Sequence, residues 1–128
     1  MVALSRSSAV GGDVEMIRPL KSLAFKAVMQ PQELAQIAQQ PALFFRLWSI
    51  KEAVVKAADC AGLSRLLDVQ IDAAQATARF DGQDWYLKQL ALDPAYSLSL
   101  ASSLPVTDVS LTALRIEMLD DTAVSAAN

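Results

Sequence analysis

Apolar positions repeat at helical spacing in the first half of the chain. Between residues 42 and 61, large apolar side chains recur every three or four positions, which is typical of a helix with one buried face. A proline can open each of two shorter helices before it, one over residues 31–40 and one from residue 19 to about 29. Gly62 is a stop signal for the long helix. We therefore predict three consecutive helices, of which the third is the longest.

The period changes to two after Gly62, and a similar extended segment precedes the helices at residues 10–15. Asp81-Gly82 is a hairpin signal, and Asp93-Pro94 supplies a further turn. The predicted strands of the second half are Val69–Ile71, Ala76–Phe80, Trp85–Leu90, Tyr96–Ala101 and Val109–Ile116. This order predicts an α+β fold in which an antiparallel sheet packs against a long helix.

Composition limits the chain to one domain and removes several kinds of chemistry. The chain has 128 residues, which is too short for two ordinary domains. Of these residues, 53% are hydrophobic and 20% are charged, a composition that excludes disorder. We predict one domain over residues 1–119 and a flexible tail over 120–128. The chain has no histidine and a single cysteine, so triad catalysis, histidine-ligated metals and an internal disulfide are excluded. Any metal should be a hard cation held by carboxylates.

Charge is unevenly distributed around a formal net value of −3. Residues 18–65 carry seven basic and three acidic side chains, whereas residues 66–128 carry three basic and nine acidic ones. The overall sign disfavours nucleic acid as the main partner, and the basic middle indicates a local anion site. With no signal-like or membrane-spanning segment in the sequence and only one cysteine, we expect a cytoplasmic protein that does not bind membranes.

Three acids and two lysines could form one site. Asp13 and Glu15 share a face of the first strand, and Glu52 and Lys56 share a face of the long helix, with Lys51 beside Glu52. Carboxylates from both elements would form the incomplete oxygen shell that Mg²⁺ uses with phosphates, and lysines would neutralise the remaining phosphate charge. Alternatively, the acids are a solvated strand face and the helix pair is a surface ion pair. Spacing alone does not show that the strand and the helix meet.

These segments resemble the surfactin-type 4′-phosphopantetheinyl transferases. The sequence VGGDVE at residues 10–15 is similar to the G-[VI]-D-[VI]-E segment of that family, and LWSIKEAVVKA at 47–57 to its W-x-x-K-E-[AS]-x-x-K signature. Residues 85–86 and the DPAY turn within 92–98 look like the closing strands of the family. The resemblance covers residues 1–105. Full-length members consist of two similar halves, and this chain resembles the second half.

The resemblance implies a transferase that moves the 4′-phosphopantetheine arm of coenzyme A to a serine of an apo acyl- or peptidyl-carrier protein, releasing 3′,5′-ADP. By motif position, Asp13, Glu15 and Glu52 would hold Mg²⁺. Glu52 would also take the proton of the serine, Lys56 would contact the phosphate, and Lys51 would support that contact. The single-domain members of the wider superfamily build their sites between subunits, which implies a homodimer or homotrimer here.

Two alternatives remain at the level of sequence. The chain is a catalytically degenerate or truncated member that acts as a binding or oligomerisation module, or it is an unrelated α+β domain. In the second case Asp13 and Glu52 should lie far apart.

Overall fold

A five-stranded antiparallel sheet packed on one long helix forms the part of the protein described by the computed structural model, residues 9–19, 27–60, 63–91 and 93–105. The sheet order is β1-β5-β4-β3-β2, and every neighbouring pair is antiparallel. The elements are β1 (Val10–Met16), α1 (Pro31–Gln39), α2 (Leu43–Ala57), a short 3₁₀ helix (Leu63–Asp68), β2 (Gln70–Asp72), β3 (Thr77–Phe80), β4 (Gln83–Leu90) and β5 (Tyr96–Ser102). The predicted α+β class is confirmed.

The predicted elements that fall on described residues are all present, with shifts of one or a few residues at their ends. The Asp81-Gly82 hairpin is confirmed: both residues have positive φ, 56° and 75°, as a tight two-residue turn between twisted strands requires. The helix predicted over residues 19–29 lies mostly outside the described residues. The strand predicted over 109–116 and the tail over 120–128 lie wholly outside them.

The long helix ends earlier than the sequence pattern predicts. It stops at Ala57, and Asp59 takes a left-handed conformation with φ 55°. The amide of Cys60 then donates to the carbonyl of Val55 at 3.0 Å, which closes the last turn as a Schellman-type cap does. Asp59 therefore forms the helix cap that the prediction assigned to Gly62. An aspartate can do so because Asp and Asn tolerate the left-handed region better than most side chains.

The core lies between α2 and one face of the sheet, and it forces a close approach at Gly11. A Cβ atom on Gly11 would lie 2.4 Å from both the carbonyl oxygen of Ala53 and the amide nitrogen of Ala57. Only glycine lets the backbone of β1 approach α2 so closely. This contact sets the distance between the strand and the helix that carry the candidate site residues.

No helix in the described part of the chain is long and apolar enough to cross a bilayer.

Candidate functional site

Asp13 and Lys56 join β1 to α2. Asp13 lies two residues after Gly11, so its side chain points to the same face of β1, toward the helix. The ammonium of Lys56, in the last turn of α2, donates to Asp13 Oδ1 at 2.9 Å and to the Gly12 carbonyl at 3.4 Å. The strand and the helix therefore meet at their charged residues, as the candidate site requires.

The carboxyl of Asp13 is buried, and only part of its hydrogen-bonding capacity is used. Oδ2 has no hydrogen-bond partner among the described residues. Burial, followed by the negative charge of Glu15, raises the pKa of Asp13 to about 8, although Lys56 acts in the opposite direction. A buried oxygen without a donor is costly, so this position favours a proton or a cation.

Glu52 shares the electrostatic field of this pair. It is half-buried on α2, one helical turn before Lys56. Burial and then the charge of Asp13 raise the pKa of Glu52, whereas Lys56 lowers it. Glu52 and Asp13 therefore lie near each other, which contradicts the alternative of an unrelated domain with these acids far apart.

The structure places Lys51 away from this cluster. Its side chain is fully buried, and Nζ donates to Glu33 Oε1 at 2.7 Å and to the Val28 carbonyl at 2.8 Å. Burial lowers the pKa of Lys51, and the partner carboxylate opposes that effect. A direct contact between Lys51 and a phosphate would require this buried pair to separate.

Serine hydroxyls form a buried network beneath α2. Ser49 Oγ lies 2.7 Å from Ser99 Oγ and 3.0 Å from Ser97 Oγ, and Ser99 also accepts from the side-chain amide of Gln89. Ser99 is the cross-strand partner of Asp13. The network therefore links α2, β5 and β4, and Ser99 places one end of it beside the acidic site without a hydrogen bond to Asp13 among the described residues.

Sequence reasoning missed this network and the role of Glu33. Ser97 and Ser99 alternate with leucines in β5, a pattern that normally marks a solvated strand face. The available signal was Ser49, a small polar residue on the apolar side of the helix, which needs a buried partner. Glu33 carried a weaker signal as the third residue of a helix that begins with proline.

A cavity lies toward the other end of α2. It has a volume of about 450 Å³ and is lined mainly by apolar side chains, with Arg46, Gln89 and Ser97 among the polar ones. Lys56 lies ten residues beyond Arg46, or about 15 Å along a helix. The cavity therefore lies away from Lys56, whereas Ser97, which lines it, is the cross-strand partner of Glu15.

As the side chains stand, no three acidic, histidine or cysteine side chains in the described ranges are grouped closely enough to hold a metal ion. The donors nevertheless fit a hard divalent cation. Asp13 and Glu52 offer carboxylate oxygens, Glu15 follows on the same strand face, and the free oxygen of Asp13 is buried beside them.

The raised pKa of Asp13 predicts how stability depends on pH when divalent cations are removed by chelation. Between the unfolded value of 3.8 and the folded value of about 8, the folded chain holds the proton more tightly. This contribution to stability is present below pH 4 and is lost as the pH rises through about 8. We expect Asp13→Asn to gain stability relative to the parent as the pH rises from 5 to 9, in urea unfolding at each pH. A constant difference would contradict this prediction.

The fold and the site together define an α+β domain that presents buried carboxylates and a lysine between a strand and a helix. Residues 9–113 match the sequence model of the 4′-phosphopantetheinyl transferase superfamily. The chain is also 30% identical over 106 residues to the 4′-phosphopantetheinyl transferase psf-1 of Bacillus pumilus, covering 75% of this chain. The chain belongs to the 4′-phosphopantetheinyl transferase superfamily. It spans about half the length of this relative, 46%.

Proposed function

We propose that the chain transfers the 4′-phosphopantetheine arm of coenzyme A to a serine of an apo acyl- or peptidyl-carrier protein. The observation that carries this proposal is the buried, unpartnered oxygen of Asp13 beside Lys56 and Glu52. The free carboxylate oxygen can bind a cation, and the adjacent ammonium of Lys56 can bind an anion. A diphosphate with a bound metal ion needs both kinds of group. Family membership and the named relative support the same reaction.

In this proposal Asp13, Glu15 and Glu52 would hold Mg²⁺ at the diphosphate of coenzyme A. When bound, Mg²⁺ supplies neutralisation of the charge that develops on the phosphate oxygens. Asp13 and Glu52 are held at a fixed separation because Gly11 allows β1 to lie against α2. Lys56, whose side chain is 45% exposed, is anchored at Asp13 but accessible from solvent, so it can contact a phosphate.

Glu52 acts as the proton acceptor, directly or through a water. The serine oxygen forms a bond to the β-phosphorus of coenzyme A while the bond to the leaving 3′,5′-ADP oxygen breaks. The serine proton goes to Glu52, and the electron pair leaves with 3′,5′-ADP. Glu52 is half-buried beside Asp13 and one helical turn from Lys56, so its carboxylate is placed to take this proton.

The predicted role of Lys51 stays a prediction, and the buried ion pair with Glu33 favours an indirect role.

We also propose that the chain forms a homodimer or a homotrimer. Large apolar side chains are exposed on the described surface, at Met16, Ile17, Tyr86 and Leu104, and a second copy would cover such groups. Light scattering of the purified chain measures the assembly.

Incubation with coenzyme A, MgCl₂ and a panel of apo-carrier proteins tests the transferase. We expect one carrier to gain the mass of a single phosphopantetheine, with release of 3′,5′-ADP, and no gain when the metal is chelated. Coenzyme A binding by calorimetry without transfer to any carrier would reject the enzyme and favour the binding module. A carrier whose acceptor serine is replaced by alanine is the control.

A further inference from the structure

A buried ion pair ties the start of α1 to the middle of α2. Glu33 and Lys51 meet at 2.7 Å, with the side chain of Glu33 7% exposed and that of Lys51 wholly buried. Glu33 Oε1 also accepts from the backbone amide of Gln30 at 2.7 Å, and Lys51 Nζ also donates to the Val28 carbonyl. One carboxylate and one ammonium therefore connect α2, α1 and the segment that enters α1.

This pair lies next to the candidate site in sequence but on another side of α2. Consecutive helical residues point about 100° apart, so Lys51 is directed toward α1 while Glu52 is directed toward β1. α2 is fixed on its β1 side by the contact at Gly11 and on its α1 side by Lys51. Between them, these two attachments set the rotation of the helix about its own axis.

We propose that Glu33 is a positioning residue of the site: by holding Lys51 in the core, it fixes the rotation of α2 that directs Glu52 and Lys56 toward Asp13. This inference rests on the proposed function for its kinetic test. Glu33 itself lies on α1 and accepts hydrogen bonds from Gln30 and Lys51, neither of which is Asp13, Glu52 or Lys56. Its effect on the reaction is therefore transmitted through Lys51 and the helix.

A direct role of Lys51 at the phosphate makes the opposite prediction for Glu33. If Lys51 binds coenzyme A, loss of the competing Glu33 carboxylate should leave kcat unchanged and should lower or leave unchanged the KM for coenzyme A. If Glu33 positions the helix, loss of its charge should lower kcat and should not lower that KM. A merely structural role would lower stability without changing kcat per folded molecule.

The test compares the full chain with Glu33→Gln, Lys51→Met and the double variant, at a temperature where unfolding curves show each to be folded. We expect both single variants to lose about tenfold in kcat at saturating MgCl₂ with no decrease in the KM for coenzyme A, and the double variant to lose no more than either. Arg79→Gln, on the exposed β3–β4 hairpin, is the control that should keep the parent kcat. A Glu33→Gln variant with the parent kcat, or with only an altered KM, would overturn the inference.

Calorimetric titration of each protein with MgCl₂ alone separates this inference from the proposed function. We expect Glu33→Gln to weaken Mg²⁺ binding about tenfold even if no carrier is modified, because the cation depends on the same placement of Glu52. If the variant binds Mg²⁺ as tightly as the parent, the inference about Glu33 is overturned, but the proposed transferase function is not contradicted. A parent that neither transfers nor binds Mg²⁺ would overturn both.

Discussion

Replacement of Glu52 by glutamine should reduce kcat for phosphopantetheine transfer by about 10³-fold or more. The substitution keeps the size and the helix but removes a proton acceptor and a proposed oxygen ligand of the cation at once. Because burial and the charge of Asp13 raise the pKa of Glu52, loss of the Glu52 charge should also leave the fold as stable as the parent, or more stable. Rates of 3′,5′-ADP release and urea unfolding measure the two effects on the same samples.

The matched control for this prediction is Asp84→Asn. Asp84 is exposed on the β3–β4 hairpin, where it pairs with Arg79 at 2.9 Å, so the variant changes the net charge equally without touching the site. It should keep kcat within twofold. A Glu52→Gln protein that retains more than a tenth of the parent rate, with the same Mg²⁺ dependence, would remove Glu52 from the reaction.

Gly11→Ala should destabilise the protein by about 3 kcal/mol, because the new Cβ would overlap backbone atoms of α2 that cannot rotate away. For a chain of this size, that loss corresponds to a fall in Tm of roughly 10 °C. β1 and α2 must separate to relieve the overlap, which moves Asp13 away from Lys56 and Glu52. Transfer should therefore fall even at temperatures where the variant remains folded.

Gly82→Ala separates this packing effect from the general cost of replacing a glycine. Gly82 has φ 75°, but nothing lies within 4 Å of the position that a Cβ would occupy. Its replacement should cost about 1 kcal/mol from backbone strain alone and should leave transfer unchanged. Equal thermal stability of the two alanine variants would show that the close approach at Gly11 does not control packing.

Regular periodicity made most of the fold predictable. The spacing of apolar residues identified α2, and Asp81-Gly82 identified the β3–β4 hairpin, because both signals act over a few neighbouring positions. The end of α2 was misplaced because Asp59 forms the left-handed cap that the prediction assigned to Gly62. Glycine is the residue most often found at a helix C-cap, so the pattern favoured Gly62 over the aspartate that lies two residues after the end of α2.

The site was only partly accessible to sequence reasoning. The resemblance selected Asp13, Glu15 and Glu52, and the structure brings Asp13, Glu52 and Lys56 together. The sequence could not show that Lys51 points toward α1 rather than toward the site, because its partner Glu33 lies eighteen residues earlier and no periodic pattern connects the two. Contacts between distant segments depend on the tertiary arrangement, which single-sequence patterns do not contain.

The hydroxyl cluster of Ser49, Ser97 and Ser99 constrains how related sequences can change. Ser49 Oγ is hydrogen-bonded to both of the other hydroxyls, so removal of one member leaves a neighbour with an unmet hydrogen bond in the core, at about 1–3 kcal/mol for each such group. Substitution at one of these positions should therefore be accompanied by substitution at the others. In an alignment of relatives, α2 and β5 should show this correlated change at the positions of the three serines.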